Sequence, residues 1–116
     1  MASGRLGLST PATATSTTIF IPTTGVTATI AINAVNINSD AAKVRIALAA
    51  TASISNLADS MFIEHEFPLT ASGTVGNTIE RTGIVIAYDA NALGGNGVVV
   101  ESDTGQVSFN VWGIEG

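Results

Sequence analysis

Residues 26–50 read VTATIAINAVNINSDAAKVRIALAA, and the spacing of their apolar side chains decides the fold class. Successive side chains of a strand point to opposite faces, so a half-buried strand carries its apolar residues at every second position. Val26, Ala28, Ile30 and Ile32 keep that rhythm, with Thr27, Thr29, Ala31 and Asn33 between them. Further on, Val35 and Ile37 are the apolar members and Asn36 and Asn38 the polar ones. The phase has slipped by one residue, which predicts a β-bulge near Asn33-Ala34. After Asn38-Ser39-Asp40 the alternation resumes with Val44, Ile46 and Leu48 inward and Lys43 and Arg45 outward. The alanines of 41–50 favour helix. The alternation and the β-branched Val44 and Ile46 override that preference. The stretch therefore predicts two strands folded back on each other, with a basic outer face at Lys43 and Arg45.

Working outward, TTIFIP at 17–22 predicts a short strand closed by Pro22, and Thr23-Thr24-Gly25 a turn into the long strand. Residues 51–60 lose the alternation and read as a loop or one helical turn. MFIEHEF at 61–67 resumes it until Pro68, which cannot donate to a ladder and so marks a strand end or a sheet edge. Ala71 to Gly76 reads as a turn, and 77–88 as a strand whose Gly83 invites a bulge. The segment 89–97, DANALGGNG, reads as a loop and 98–101 as a strand. Ser102 to Gly105 is a turn signal, and 106–112 is the last strand, with Val107, Phe109 and Val111 inward. Residues 1–16 keep neither period and predict an extended N-terminal arm, with 17–116 as the folded domain. Leu6 and Leu8 would have a use if that arm lay on a neighbouring subunit. Seven or eight short strands with turns between them predict an all-β fold, an antiparallel β-sandwich of jelly-roll or immunoglobulin-like type.

Composition agrees and narrows the function. Val, Ile and Thr supply 37 of the 116 residues, an excess of β-branched side chains that favours sheet. There is no cysteine, which excludes disulfides and cysteine-based zinc sites. Charged residues are only 11% of the chain, against about a quarter in an ordinary soluble domain. A surface of Thr, Ser, Asn and Ala repels other protein less than usual and suits burial in an assembly. The net charge of −5, with Arg5, Lys43, Arg45 and Arg81 as the cations, argues against nucleic-acid binding, which needs a basic footprint. No apolar run is long enough to span a membrane and no signal pattern opens the chain, so synthesis is expected in the cytosol.

No constellation of residues points to catalysis. His65 stands between Glu64 and Glu66, but strand neighbours face away from it, so the three do not converge on an ion. Inward with Ile63 and Phe67, it would be partly buried and could tune an interface near pH 6. Asp89 and Asn91 share D-x-N with a calcium loop but lack the later carboxylates. Gly94-Gly95-Asn96-Gly97 has no lysine and no helix behind it to cradle a phosphate. No serine has a nucleophile-elbow setting. Hence no enzyme activity, metal or cofactor is expected. Trp112 points opposite to the Val107-Phe109-Val111 row, and either packs under the folded-back C-terminus or anchors a subunit interface.

One resemblance goes further. GQVSFNVWGIEG at 105–116 resembles the ending of small virion structural proteins of tailed bacteriophages. In the same order, TTIFIPTTGVTATIAINAVNIN, DAAKVRIALAA and FIEHEFPLTASGTVGNTIERTGIVI resemble that family's opening strands, next strand and acidic strand with its Pro-Leu turn. Together they cover Thr17 to Glu115. The resemblance implies a non-enzymatic component of the virion, foremost a capsid decoration or cement protein bound to the major capsid protein or other virion subunits, and a homotrimer. The alternative is a neck, baseplate or fibre component of the tail, with a glycan-binding role in host recognition. Leu6, Leu8, Lys43, Arg45, His65 and Trp112 are the expected interface residues.

Overall fold

The computed structural model describes residues 3–23, 25–48, 62–87 and 97–116. Eight strands follow in order: β1 (Ser3–Ser9), β2 (Thr17–Phe20), β3 (Thr27–Asn36), β4 (Ala42–Leu48), β5 (Phe62–Leu69), β6 (Thr78–Ala87), β7 (Val98–Ser102) and β8 (Val107–Glu115). They form two four-stranded antiparallel sheets, β1-β8-β3-β6 and β2-β7-β4-β5. The first strand pairs with the last, the second with the seventh, the third with the sixth and the fourth with the fifth. That nesting is the jelly-roll form of the β-sandwich. The loop expected at 51–60, and the Asp89, Asn91 and Asn96 of the loop expected at 89–97, lie outside the described residues.

The two strands of residues 26–50 are where the structure departs furthest from the sequence reading. β3 and β4 are not hydrogen-bonded to each other; they lie in opposite sheets. Ala28, Ile30, Ile32 and Ala34 of β3 and Ala42, Val44 and Ile46 of β4 are buried in one core. Alternation specifies an inward face, and it is satisfied equally by a neighbour in the same sheet and by a strand across the sandwich. The link 37–41 is therefore an arch between layers rather than a hairpin turn.

The bulge expected at Asn33-Ala34 is absent too. β3 pairs with β8 without a break from Ala28 to Asn36, so the phase never slips, Ile37 is turned outward and Asn36 is inward. What makes a buried asparagine tolerable is that its polar atoms are all used. Its Nδ2 donates to the carbonyls of Asp40 and Thr70, each at 2.9 Å, and its Oδ1 accepts from the Asn38 amide at 2.9 Å. Its backbone amide donates to the Asn77 carbonyl at 2.8 Å, and the Ser72 amide donates to the Asn38 carbonyl at 2.8 Å. One side chain thus ties the β3–β4 arch to the β5–β6 turn. The bulge that does occur in this pair is on β6, where Thr82 and Gly83 lie opposite Ala31 and Gly83 takes a positive φ of 71°. This is the position at which Gly83 invites one.

Residues Ser3–Ser9, expected in a free arm, form the edge strand β1 against β8. Arg5 pairs with Trp112 and Gly7 with Val111, so Leu6 is an extra, bulged residue and the strand shows no readable period. Gly7 has a steric role: a Cβ there would lie 2.0 Å from the Ile19 carbonyl oxygen, so only glycine lets β1 pass this close to β2. The rest of the segment is held down as well. Pro11 is buried and the Ala14 amide donates to the Ser102 carbonyl at 2.8 Å.

Pro68 sits near the end of β5, which is a sheet edge as expected. The edge is irregular, with His65 and Glu66 both opposite Arg45 and Ile63 an extra residue between Glu64 and Phe62. Bulges of this kind blunt an edge against unwanted pairing. This side of the sandwich, where β6 lies beside β5, is closed by Arg81 of β6, whose Nε donates to Glu64 of β5 at 2.6 Å and whose guanidinium lies 5.7 Å from the Phe67 ring.

Candidate interaction face

The outer face of β1-β8-β3-β6 is assembled by register. Ser3, Ile114, Thr29 and Val85 form one cross-strand row, Arg5, Trp112 and Ala31 the next, and Leu8, Asn110, Asn33 and Glu80 a third. Leu8 is 63%, Val85 64%, Trp112 40% and Ile114 51% exposed. Of the seven large apolar side chains exposed among the described residues, these four share this one face, while Ile21, Ile37 and Val75 lie in connections between strands. Among the described residues, the charged side chains of the face are Arg5 at the β1 edge and Glu80 at the β6 edge. Isolated apolar residues on a surface are ordinary; a cluster on a face nearly free of charge makes this face the candidate for interaction.

Trp112 is held in position rather than left loose. The Arg5 guanidinium lies over its ring, 4.7 Å from the centroid, a cation–π contact that covers one side of the indole. The next residue, Gly113, has φ 153°, and a Cβ there would stand 2.1 Å from the Thr29 carbonyl oxygen and 2.8 Å from the Ile30 Cα. Absence of that Cβ lets β8 continue past Trp112 to Glu115 in contact with β3. Trp112 therefore does not pack beneath a folded-back C-terminus. The strand runs three residues beyond the expected end and adds Ile114 to the face.

The opposite outer face differs from its sequence reading. Arg45 is ion-paired with Glu66 and, at 3.2 Å, with Glu101, and Ser16 Oγ donates to Glu101 Oε2 at 3.0 Å. The Lys43 amide donates to Asp103 Oδ1 at 2.9 Å. Lys43, Arg45, Glu66, Glu101 and Asp103, with Ala14 and Ser102, line a pocket of about 160 Å³. Two cations thus stand among three carboxylates, and the basic face expected at Lys43 and Arg45 is neutralised. Glu66 reaches Arg45 because it adopts a positive φ of 57° in the β5 bulge.

The other expected interface residues divide. Leu8 joins the apolar face, whereas Leu6 is half-buried and packs against the core. His65 is exposed, meeting the Phe62 ring edge-on at 4.8 Å and 79°, so it is not the partly buried residue that a pH-tuned interface needs. Its two neighbours diverge, Glu64 to Arg81 and Glu66 to Arg45. Among the described residues no cluster of His, Asp and Glu is placed to hold a metal. Val85, Ile114, Arg5 and Glu80 belong to the face and were missed. For Ile114 the signal was present, since alternation from Asn110 continues through Trp112 to Ile114.

One buried acid sits behind this sheet. The Thr23 amide donates to Glu115 Oε2 at 2.7 Å, clipping the turn before β3 to the end of β8. Hydrogen bonds from the Thr23 backbone, and secondarily its hydroxyl, hold the Glu115 carboxyl below its usual range. Comparison with family models, with curated proteins and with solved structures finds no match to this chain.

Proposed function

We propose that this chain is a non-enzymatic structural protein of a tailed-phage virion, of the capsid decoration or cement type, that acts by burying the outer β1-β8-β3-β6 face against protein. The observation that carries the reading is that face: four large exposed apolar side chains with one charge at each edge. The low charge content of the chain and the ordered resemblance from Thr17 to Glu115 favour the virion setting. The jelly roll hosts shell and lectin domains alike, so the fold by itself assigns no function. Arg5 occupies one side of the Trp112 ring, where a sugar would stack, and this favours a protein partner over a glycan.

The test is co-sedimentation with purified particles. Wild-type chain is expected to pellet with them at capsid copy number, and Trp112→Glu, which places a charge at the centre of the face, is expected to stay in the supernatant. Equal pelleting of the two would overturn the reading of this face. Recovery at tail copy number would move the protein to the neck, baseplate or fibre.

A further inference from the structure

We propose that the outer β1-β8-β3-β6 face is covered by a second copy of this chain, packed face to face about a two-fold axis that runs along the strands between β8 and β3. This rests on the reading of that face as a protein interface and names its partner. The argument is that the face is complementary to itself. Its cation, Arg5, lies on the β1 edge and its anion, Glu80, on the β6 edge, with the apolar side chains between. Rotation about an axis along the strands lays β1 of one copy over β6 of the other and keeps the rows in register, so each Arg5 comes over Thr82 and Gly83 of the second copy, one row, or about 7 Å, along the strand from its Glu80, twice per dimer.

Shape follows the same operation. The rotation lays β8 over β3, and within one row it sets Trp112 of each copy over Ala31 of the other, the largest side chain of the face against the smallest side chain of its row. Ile114 comes over Thr29, and Val85 over Ser3. An axis across the strands instead stacks β1 on β1 and β6 on β6, bringing both arginines to one side and both glutamates to the other. Like charges so placed select against that arrangement. Alignment of the strands is also the ordinary way two sheets pack.

The size of the face sets the class of interface. Four strands about 4.8 Å apart and about eight residues long project roughly 500 Å² a side. A standard stable interface buries about 800 Å² a side, so this face lies at the small end of specific interfaces, where associations are weak and reversible. The symmetry of this face is two-fold, unlike the homotrimer that the resemblance implies.

The experiment is sedimentation equilibrium of the purified chain from about 1 µM to about 200 µM, the range in which weak, reversible dimers form. Wild type is expected to pass from monomer to dimer. Arg5→Glu and Glu80→Arg, both at exposed positions, each bring like charges onto the facing edge strands, and each is expected to weaken dimerisation at least about tenfold. Mixed one to one, the two variants are expected to form a heterodimer. The carboxylate introduced by Arg5→Glu then stands one row from the guanidinium introduced by Glu80→Arg on the facing edge strand, while the second such pair across the axis is native. Circular dichroism checks that both variants fold. Wild type that stays monomeric, wild type that forms trimers, or folded variants that fail to associate on mixing would each overturn the two-fold dimer. A monomeric wild type whose Trp112→Glu variant still loses particle binding would leave the interface reading standing and remove only the second copy. A dimer disrupted by Trp112→Glu without loss of particle binding would leave the second copy standing and remove the particle as a partner of this face.

Discussion

Replacing Asn36 by leucine isolates what holds the two layers together at the arch. Leucine is close in volume, so no large cavity opens, but it has neither donor nor acceptor. Three backbone groups lose their partner: the carbonyls of Asp40 and Thr70 and the amide of Asn38. A buried polar group left unpaired costs about 1–3 kcal/mol. Asp40 and Thr70 are exposed residues whose carbonyls can turn partly to water, so the low end applies, at about 1 kcal/mol for each of the three groups. The added apolar contact of leucine, about 1 kcal/mol, offsets part of this. The net loss is about 2 kcal/mol, which for a domain of this size lowers Tm by roughly 8 °C. Differential scanning calorimetry measures it, and hydrogen exchange should show the Asn38 amide losing protection. Asn36→Asp refines the argument, since a carboxylate accepts from Asn38 but faces the two carbonyls without a proton to give. That variant is expected to be most stable in acid and to weaken as pH rises past about 4, where the new carboxyl ionises. A Tm for Asn36→Leu within about 2 °C of wild type would refute the claim that this side chain clamps the arch, because it corresponds to under about 1 kcal/mol.

Two further outcomes follow from the packing. Gly113→Ala places a Cβ 2.1 Å from the Thr29 carbonyl oxygen, a backbone atom that cannot swing aside, and is expected to cost about 3 kcal/mol in chemical denaturation, with β8 detached from β3 past Trp112. Glu115 gives the fold an acid sensitivity. A carboxyl held below its ordinary value of 4.5 in the folded state contributes stability that is present above that value and is lost as pH falls through the depressed folded value. Urea unfolding of wild type should therefore weaken on acidification below that range, and Glu115→Gln should flatten this part of the profile while lowering stability at neutral pH.

Local chemistry along the chain suffices to place seven of the eight strands and to say, outside the end of β3, which of their side chains point inward. Val44 and Ile46, and Val107, Phe109 and Val111, are buried as the two-residue period requires. Gly83 takes the bulge, Pro68 lies on an edge strand, and residues 71–76 form the β5–β6 turn. Each of these rests on something a short segment carries by itself: side-chain alternation, a missing donor, a backbone free to take positive φ. Two local features escaped because a distant partner overrides the local pattern. Asn36 is inward because carbonyls at positions 40 and 70 receive its amide, and Val35 and Ile37 are displaced from the inner face as a result. Ser3–Ser9 is a strand because β8 offers it an edge, although its glycines and its bulge at Leu6 hide any period.

Which strands are neighbours is settled at the tertiary level alone, and the candidate site depends on that choice. A buried face looks the same in sequence whether its partner lies beside it or across the core, so 26–50 could be read as a hairpin although it joins two layers. Charge behaves alike: Arg45 counts as a free cation until the fold brings Glu66 and Glu101 to it from two other strands. The apolar face was half visible, in Leu8 and Trp112, and became a surface only when register placed Ile114, Thr29 and Val85 in one row across three strands. Cross-strand adjacency is a property of pairing between segments far apart in the chain, and no spacing within a single segment encodes it.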